Sequence, residues 1–130
     1  MNRFYLQPKS NSPEIMLDAE AGIFEIKGRS LPENTDYVYT PVLDWLDQYK
    51  KRPNESTTFV FKMLYLNTSS KKMLHEIFVK LEQLHAIHGH VEIHWYYEEN
   101  DLDIMENGEE FCSLLNIPYK LIELHEIEDV

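Results

Sequence analysis

The sequence predicts an α/β fold, a mixed sheet with an N-terminal hairpin and helices mainly on one face. Three observations predict it. Glu14–Leu17 and Ile23–Lys27 flank Asp18-Ala19-Glu20-Ala21-Gly22, which reads as a hairpin with a glycine in its turn. After the hairpin, helical and strand periodicities alternate to the end of the chain, the pattern of parallel crossovers in one sheet. His90–Tyr97 alternates strictly, with Val91, Ile93, Trp95 and Tyr97 on one face and His90, Glu92, His94 and Tyr96 on the other. Such a strand has one buried face and one partly wet face, so the sheet is not covered on both sides.

Taken in order, Phe4–Gln7 is a short strand before the Pro8–Pro13 turn region, and the hairpin follows. Gly28 to Asn34, with Pro32 inside it, reads as a loop. Asp36 is placed to cap a helix to about Lys51 that carries Val38, Val42, Leu43, Trp45, Leu46 and Tyr49, with Pro41 a second candidate for its regular start. Pro53-Asn54 turns the chain into an apolar strand, Thr58–Leu66. A long amphipathic helix then shows Met73, Leu74, Ile77, Phe78, Leu81 and Leu84 as its stripe and stops near Gly89. After the alternating strand, Leu102–Leu115 is a third helix with Ile104, Met105, Phe111, Leu114 and Leu115 as core candidates. Tyr119–Leu124 is the last strand. The expected organisation is one domain over 1–130, with a lead-in at 1–13 and an acidic tail at 125–130 that frays.

Composition narrows the function classes. The 130 residues are 43 % hydrophobic and 27 % charged, as in an ordinary globular domain. The expectation is a cytoplasmic protein: no secretory leader is evident, no apolar run approaches the ~20 residues that cross a bilayer, and a lone cysteine, Cys112, precludes an internal disulfide. Residues 1–91 balance 11 acids against 11 Lys and Arg, whereas 92–130 carry 12 acids against Lys120 alone. That end repels phosphate-rich partners, which argues against nucleic-acid binding. It serves either as a solvated face or as a docking surface for a basic partner.

The most informative stretch is Leu66-Asn67-Thr68-Ser69-Ser70-Lys71-Lys72, where the strand ends and the long helix begins. Backbone N–H groups stand unpaired there and favour an anion. One cap needs one side chain, yet four polar side chains run from Asn67 to Ser70. Lys71 and Lys72 sit in the first turn against the helix dipole, which favours anions by ~0.3–1 kcal/mol. An attached phosphate reverses that penalty. The alternative is a plain cap on a solvated turn.

Tyr65-Leu66-Asn67-Thr68-Ser69-Ser70 in this setting resembles the signature of the SiaC family of bacterial regulatory phosphoproteins. Gly28-Arg29-Ser30-Leu31-Pro32-Glu33-Asn34, with Trp45 in the following helix, is similar to the family's N-terminal half. The likeness spans about Glu14 to Leu124 and implies a STAS-like fold, that of the anti-sigma-factor antagonists. It implies Thr68 as a phosphoacceptor, with Ser69 the alternative because many STAS relatives use serine. Asn67, Ser70, Lys71 and Lys72 then form the phosphate's surroundings. Asn67 stands where many STAS proteins carry aspartate. The resemblance further implies a kinase with a histidine-kinase-like ATPase fold and a metal-dependent, PP2C-like phosphatase. The unphosphorylated form is implied to activate a diguanylate cyclase, linking the switch to cyclic-di-GMP and biofilm. The chain is then a substrate and a ligand for other proteins, not an enzyme, and needs no cofactor.

Other constellations support competing readings. His85, His88, His90 and His94 suggest a metal site and a small metal-dependent hydrolase, although the junction at Gly89 splits the set and favours plain polar surface. Glu98, Glu99, Asp101 and Asp103 offer carboxylates for acid–base work or for a cation, or a solvated helix start. Cys112 has no basic neighbour in sequence to activate it and reads as a small buried residue. Pro32, Glu33 and Asn34 form a candidate partner contact, or else a rigid turn that caps the next helix. Exposed aromatics on a half-covered sheet add the expectation of a homodimer, and an unmodified dimerisation domain is the third reading.

Overall fold

The computed structural model describes residues 2–128. Six strands form one sheet in the order of the chain: β1 (Phe4–Leu6), β2 (Glu14–Asp18), β3 (Ile23–Ser30), β4 (Thr57–Leu66), β5 (Val91–Glu98) and β6 (Tyr119–Leu124). The first three are antiparallel neighbours and the last four are parallel, joined by α1 (Thr35–Tyr49), α2 (Thr68–His88) and α3 (Leu102–Ser113). Parallel crossovers share one hand, so successive helices land on the same face. Accordingly α1 packs on α2, and α2 on α3. The expected mixed α/β sheet with an N-terminal hairpin is the fold observed.

The register sets the core. Ile15, Ile26, Phe61, Trp95 and Leu121 are aligned by pairing across five strands, all on the helix-covered face. The first four of these are fully buried. Phe61 meets Phe78 at 4.8 Å and Trp95 at 5.5 Å between ring centroids, and Phe24 meets Tyr49 at 5.1 Å. Such aromatic pairs add about 0.5–1.5 kcal/mol each beyond the area they bury. The opposite face carries ion pairs in place of helices: Lys62 lies 3.4 Å from Glu25 and Lys27 3.9 Å from Glu14.

Several boundaries differ from the sequence reading, each for a local reason. Gly28, Arg29 and Ser30 belong to β3, not to a loop. The pairing jumps from Gly28↔Met63 to Arg29↔Tyr65, and the skipped Leu64 makes a bulge where Gly28 takes φ +115°. Asn34, not Asp36, caps α1, its Oδ1 accepting from the Tyr37 N–H at 3.2 Å. The helix runs straight through Pro41, whose missing N–H would have met the carbonyl of exposed Tyr37, where water can serve. α3 stops at Ser113, so Leu114 is 80 % exposed, while Gly108 and Cys112 supply the buried face. Through 128 the acidic end is placed against the sheet: Ile127 is buried and its N–H donates to Glu98. The rest of that segment, 129–130, lies outside the described residues.

Candidate functional site

The junction between β4 and α2 is built on Asn67. Its N–H donates to the Ser30 carbonyl at 3.0 Å, extending the β3–β4 pairing by one residue. Its backbone is extended (φ −82°, ψ 172°), and its Oδ1 accepts from the Ser70 N–H at 2.8 Å. Its own carbonyl accepts from the Lys71 N–H at 3.0 Å. Asparagine is among the best residues for this duty, because its short carbonyl reaches back to the first turn without distorting it.

The four polar side chains expected to form one cluster are divided by the helix. Ser70 points inward and is fully buried. Its Oγ donates to the Ser30 carbonyl at 3.0 Å and lies 2.7 Å from Ser30 Oγ, which in turn meets Tyr39 Oη. Each hydroxyl has one proton, so the order is forced. Tyr39 donates to Ser30 Oγ, Ser30 donates to Ser70 Oγ, and Ser70 donates to the Ser30 carbonyl. This chain ties α1, β3 and α2 together directly beneath the junction. Burial pushes the Tyr39 phenol up to about 12, against the lowering effect of its contacts with Ser30 and Ser70.

Thr68 and Ser69 face solvent. Ser69 Oγ donates to Asn67 Oδ1 at 3.3 Å, whereas the Thr68 hydroxyl has no partner among the described residues. The Thr68 and Ser69 backbone N–H groups are also without partners among the described residues, since Asn67 uses those of Ser70 and Lys71. Lys71 is half-buried, Lys72 is exposed, and neither makes an ion pair among the described residues. α2 has no acid in its first turn. An anion carried by Thr68 would thus meet two open N–H donors, the positive end of a 21-residue helix and two nearby cations.

Two surfaces flank this point. On one side, Pro32 is buried and holds the turn, while Glu33 and Asn34 are exposed, with Asn34 engaged as the α1 cap. On the other side lies a cleft of about 550 Å³ lined by Tyr65, Lys71, Asp101, Asp103, Glu106 and Glu110, among others. Acidic residues of the C-terminal third are therefore brought to the side of the β4–α2 junction. Sequence reasoning did not find the Ser30–Tyr39–Ser70 chain or the half-exposed Tyr65. The signal was available for Ser30: the alternation of Phe24 and Ile26 continues along β3 and turns Ser30 inward.

The remaining candidates are dispersed. His85 Nδ1 accepts from the Val91 N–H at 3.2 Å, His88 and His90 are exposed, and His94 contacts Glu92. No group of three or more His, Cys, Asp or Glu is placed to hold a metal ion among the described residues. Glu98 accepts from the Ile127 N–H, Glu99 meets His125 at 2.8 Å, and Asp101 caps α3 through the Ile104 N–H. Cys112 is fully buried, and desolvation pushes its thiol up to about 12, the opposite of an activated nucleophile. No helix among the described residues is long and apolar enough to cross a membrane.

Comparison with known proteins gives a consistent picture. Residues 6–124 match the model of a family described as SiaC family regulatory phosphoprotein. An uncharacterized protein of Pseudomonas aeruginosa strain UCBPP-PA14, PA14_02130, is 29 % identical over 121 residues, covering 93 % of this chain and 96 % of its own length. The crystal structure of apo-SiaC from Pseudomonas aeruginosa superposes with a TM-score of 0.85 at 27 % identity, covering 94 % of this chain and 99 % of that one. A chain in the crystal structure of the diguanylate cyclase SiaD in complex with its activator SiaC, from the same species, gives 0.86 at 27 % identity, covering 93 % and 99 %.

Proposed function

Because this chain belongs to the SiaC family of regulatory phosphoproteins, we propose that it is a non-enzymatic phosphoswitch whose acceptor is Thr68. The observation that carries this reading is the division of the hydroxyls at the start of α2. Ser70 is fully buried and its Oγ both donates and accepts, so a kinase has no approach to it. Ser69 is exposed but leans on Asn67. Thr68 is exposed and has no partner among the described residues, at the point where an added phosphate meets open N–H groups, Lys71 and Lys72.

The whole chain, 1–130, acts as one cytoplasmic domain that other proteins modify and read. With Thr68 bare, a partner packs over the start of α2 and touches the flanking Glu33–Asn34 turn. Phosphorylation brings about −1.5 to −2 charges into that contact. Unless the partner supplies a cation, desolvating them costs several kcal/mol, enough to change occupancy a hundredfold. In Pseudomonas aeruginosa, SiaC is the activator of the diguanylate cyclase SiaD and forms a complex with it. By that likeness, the output here is a diguanylate cyclase bound by the unphosphorylated form. A kinase of histidine-kinase-like ATPase fold and a PP2C-like phosphatase set the balance.

Phosphopeptide mapping of protein purified from its native host tests the acceptor, and pull-downs with Thr68→Ala and Thr68→Asp test the switch. Phosphate on Thr68, with the cyclase retained by Thr68→Ala and lost by Thr68→Asp, is the expected result. Equal capture by both variants, or an unmodified Thr68 with phosphate elsewhere, would overturn it.

A further inference from the structure

Residues 125–128, the first four after β6, do something that the phosphoswitch does not require. From Leu124, which pairs with Glu98 on β5, the chain turns back over the sheet. The Ile127 N–H donates to Glu98 Oε2 at 2.9 Å, and Glu98 belongs to the face of β5 that carries Glu92, His94 and Tyr96. One residue later, Glu128 lines a small recess with Lys9, Ser12, Lys27 and Arg29, among others. Lys27 and Arg29 lie on β3, so between Ile127 and Glu128 the chain must pass over β4. The segment therefore straps the helix-free face, near the C-terminal ends of the parallel strands.

The strap's chemistry is simple and complementary to its bed. One branched apolar side chain, Ile127, is 3 % exposed and lies outside the core cluster that the helices cover. Glu126 and Glu128 stand on either side of it, and three cations of an otherwise acidic protein line the far end of the bed. Among the described residues, the strap adds no strand to the sheet, and its His125–Glu99 contact is largely solvent-exposed. A short segment outside the strand pairing can open locally, without global unfolding.

We propose that this strap is the resident occupant of a protein-binding surface, displaced by an extended segment of a partner with the same chemistry: acidic residues around one branched apolar side chain. A contact that closes within one chain can be closed by an equivalent segment from another. The surface lies on the sheet face opposite the helices and does not depend on the phosphorylation reading.

The test uses the full chain and a fluorescent synthetic peptide of residues 123–128. Ile127→Asp should stay folded, melting a few degrees below the wild type because the closed strap is lost, and bind the peptide about tenfold or more tighter, since the wild-type strap competes from within the same molecule. A peptide with Asp at its Ile127 position should not bind. Absence of binding to a folded Ile127→Asp protein, or equal binding to both proteins, overturns the proposal. Amide exchange of the wild type is the second measurement. Exchange at the Ile127 N–H well before the β4 amides supports a displaceable strap, and exchange only with global unfolding overturns it. A wild-type dimer that Ile127→Asp converts to monomer would assign the surface to a second copy's strap and overturn the partner assignment.

Discussion

Ser30 and Ser70, 40 residues apart in the chain, meet fully buried with their hydroxyl oxygens 2.7 Å apart. The contact places the end of β3 against the first turn of α2, so the backbone that presents Thr68 is fixed from below. Ser30 is the middle of the hydroxyl chain: it accepts from Tyr39 and donates to Ser70. Ser30→Ala strands a buried donor on one side and a buried acceptor on the other, and should cost about 1–3 kcal/mol. Tyr39→Phe removes only the outer member and should cost about 1 kcal/mol. Urea melts at neutral pH should rank Ser30→Ala as clearly the more damaging; equal losses would refute the proton order.

The same chain gives an alkaline limit. The Tyr39 phenol is raised from 10.0 to about 12 in the folded protein, with burial the main cause. Its contribution is complete below pH 10. Between 10 and 12 the unfolded chain releases the proton while the folded one keeps it, so stability falls as pH rises. At about 1.4 kcal/mol per pH unit, the loss by pH 12 is on the order of 3 kcal/mol. Cys112, raised from 9.0 to about 12, adds to the same limb and starts it about one unit earlier. Tyr39→Phe should flatten the stability curve above pH 10 and remove a late-titrating component from the wild type's tyrosinate absorbance. A Tyr39→Phe curve as steep as the wild type's would remove Tyr39 from this account.

The periodicity of single elements was legible in the sequence, and what joins elements was not. Strict alternation in His90–Tyr97 showed its buried face as the structure has it, because one row of a half-covered sheet needs no partner to be recognised. The stripe Met73–Leu84 was equally readable on a long helix. Residues 28–30 were misread because glycine and an inserted proline resemble a loop, and a bulge that lets a strand continue depends on its neighbour β4. The strap was missed for a related reason. Its acids look like a solvated tail until Lys9, Lys27 and Arg29, more than ninety residues earlier, are brought beneath them. At the candidate site, the hydroxyl-rich string was visible, but its division was not. Only the buried approach of Ser30 and Tyr39 decides that Ser70 faces inward and Thr68 outward.

Gly108 has no substitute where it stands. A Cβ added there would lie 2.3 Å from Trp95 Cδ1 and 2.4 Å from Nε1. The ring cannot yield, since its N–H is held by the Ile104 carbonyl at 2.9 Å and it packs among Phe61, Phe78 and Phe111. Overpacking of this kind costs about 1–3 kcal/mol, against a helix-propensity gain near 1 kcal/mol. Gly108→Ala should lower the Tm by several degrees and shift the tryptophan emission. A variant as stable as the wild type would mean that α3 moves freely on the sheet.

Thr68→Asp separates a switch from a damaged fold through the sign of its stability effect. The first turn of α2 has no acid and carries Lys71 and Lys72, so the unmodified helix starts with its dipole opposed. A carboxylate at the first helical residue should stabilise it by about 0.3–1 kcal/mol at low salt, an effect that added salt screens. Thr68→Ala, at an exposed position with no hydrogen bond to lose among the described residues, should stay within about 0.5 kcal/mol of the wild type. The aspartate variant should thus melt at or above the wild type while losing its partner, and the alanine variant should keep both. If Thr68→Asp loses the partner and also melts several degrees lower, the binding loss reflects a disturbed helix start, and charge at Thr68 is not what the partner reads.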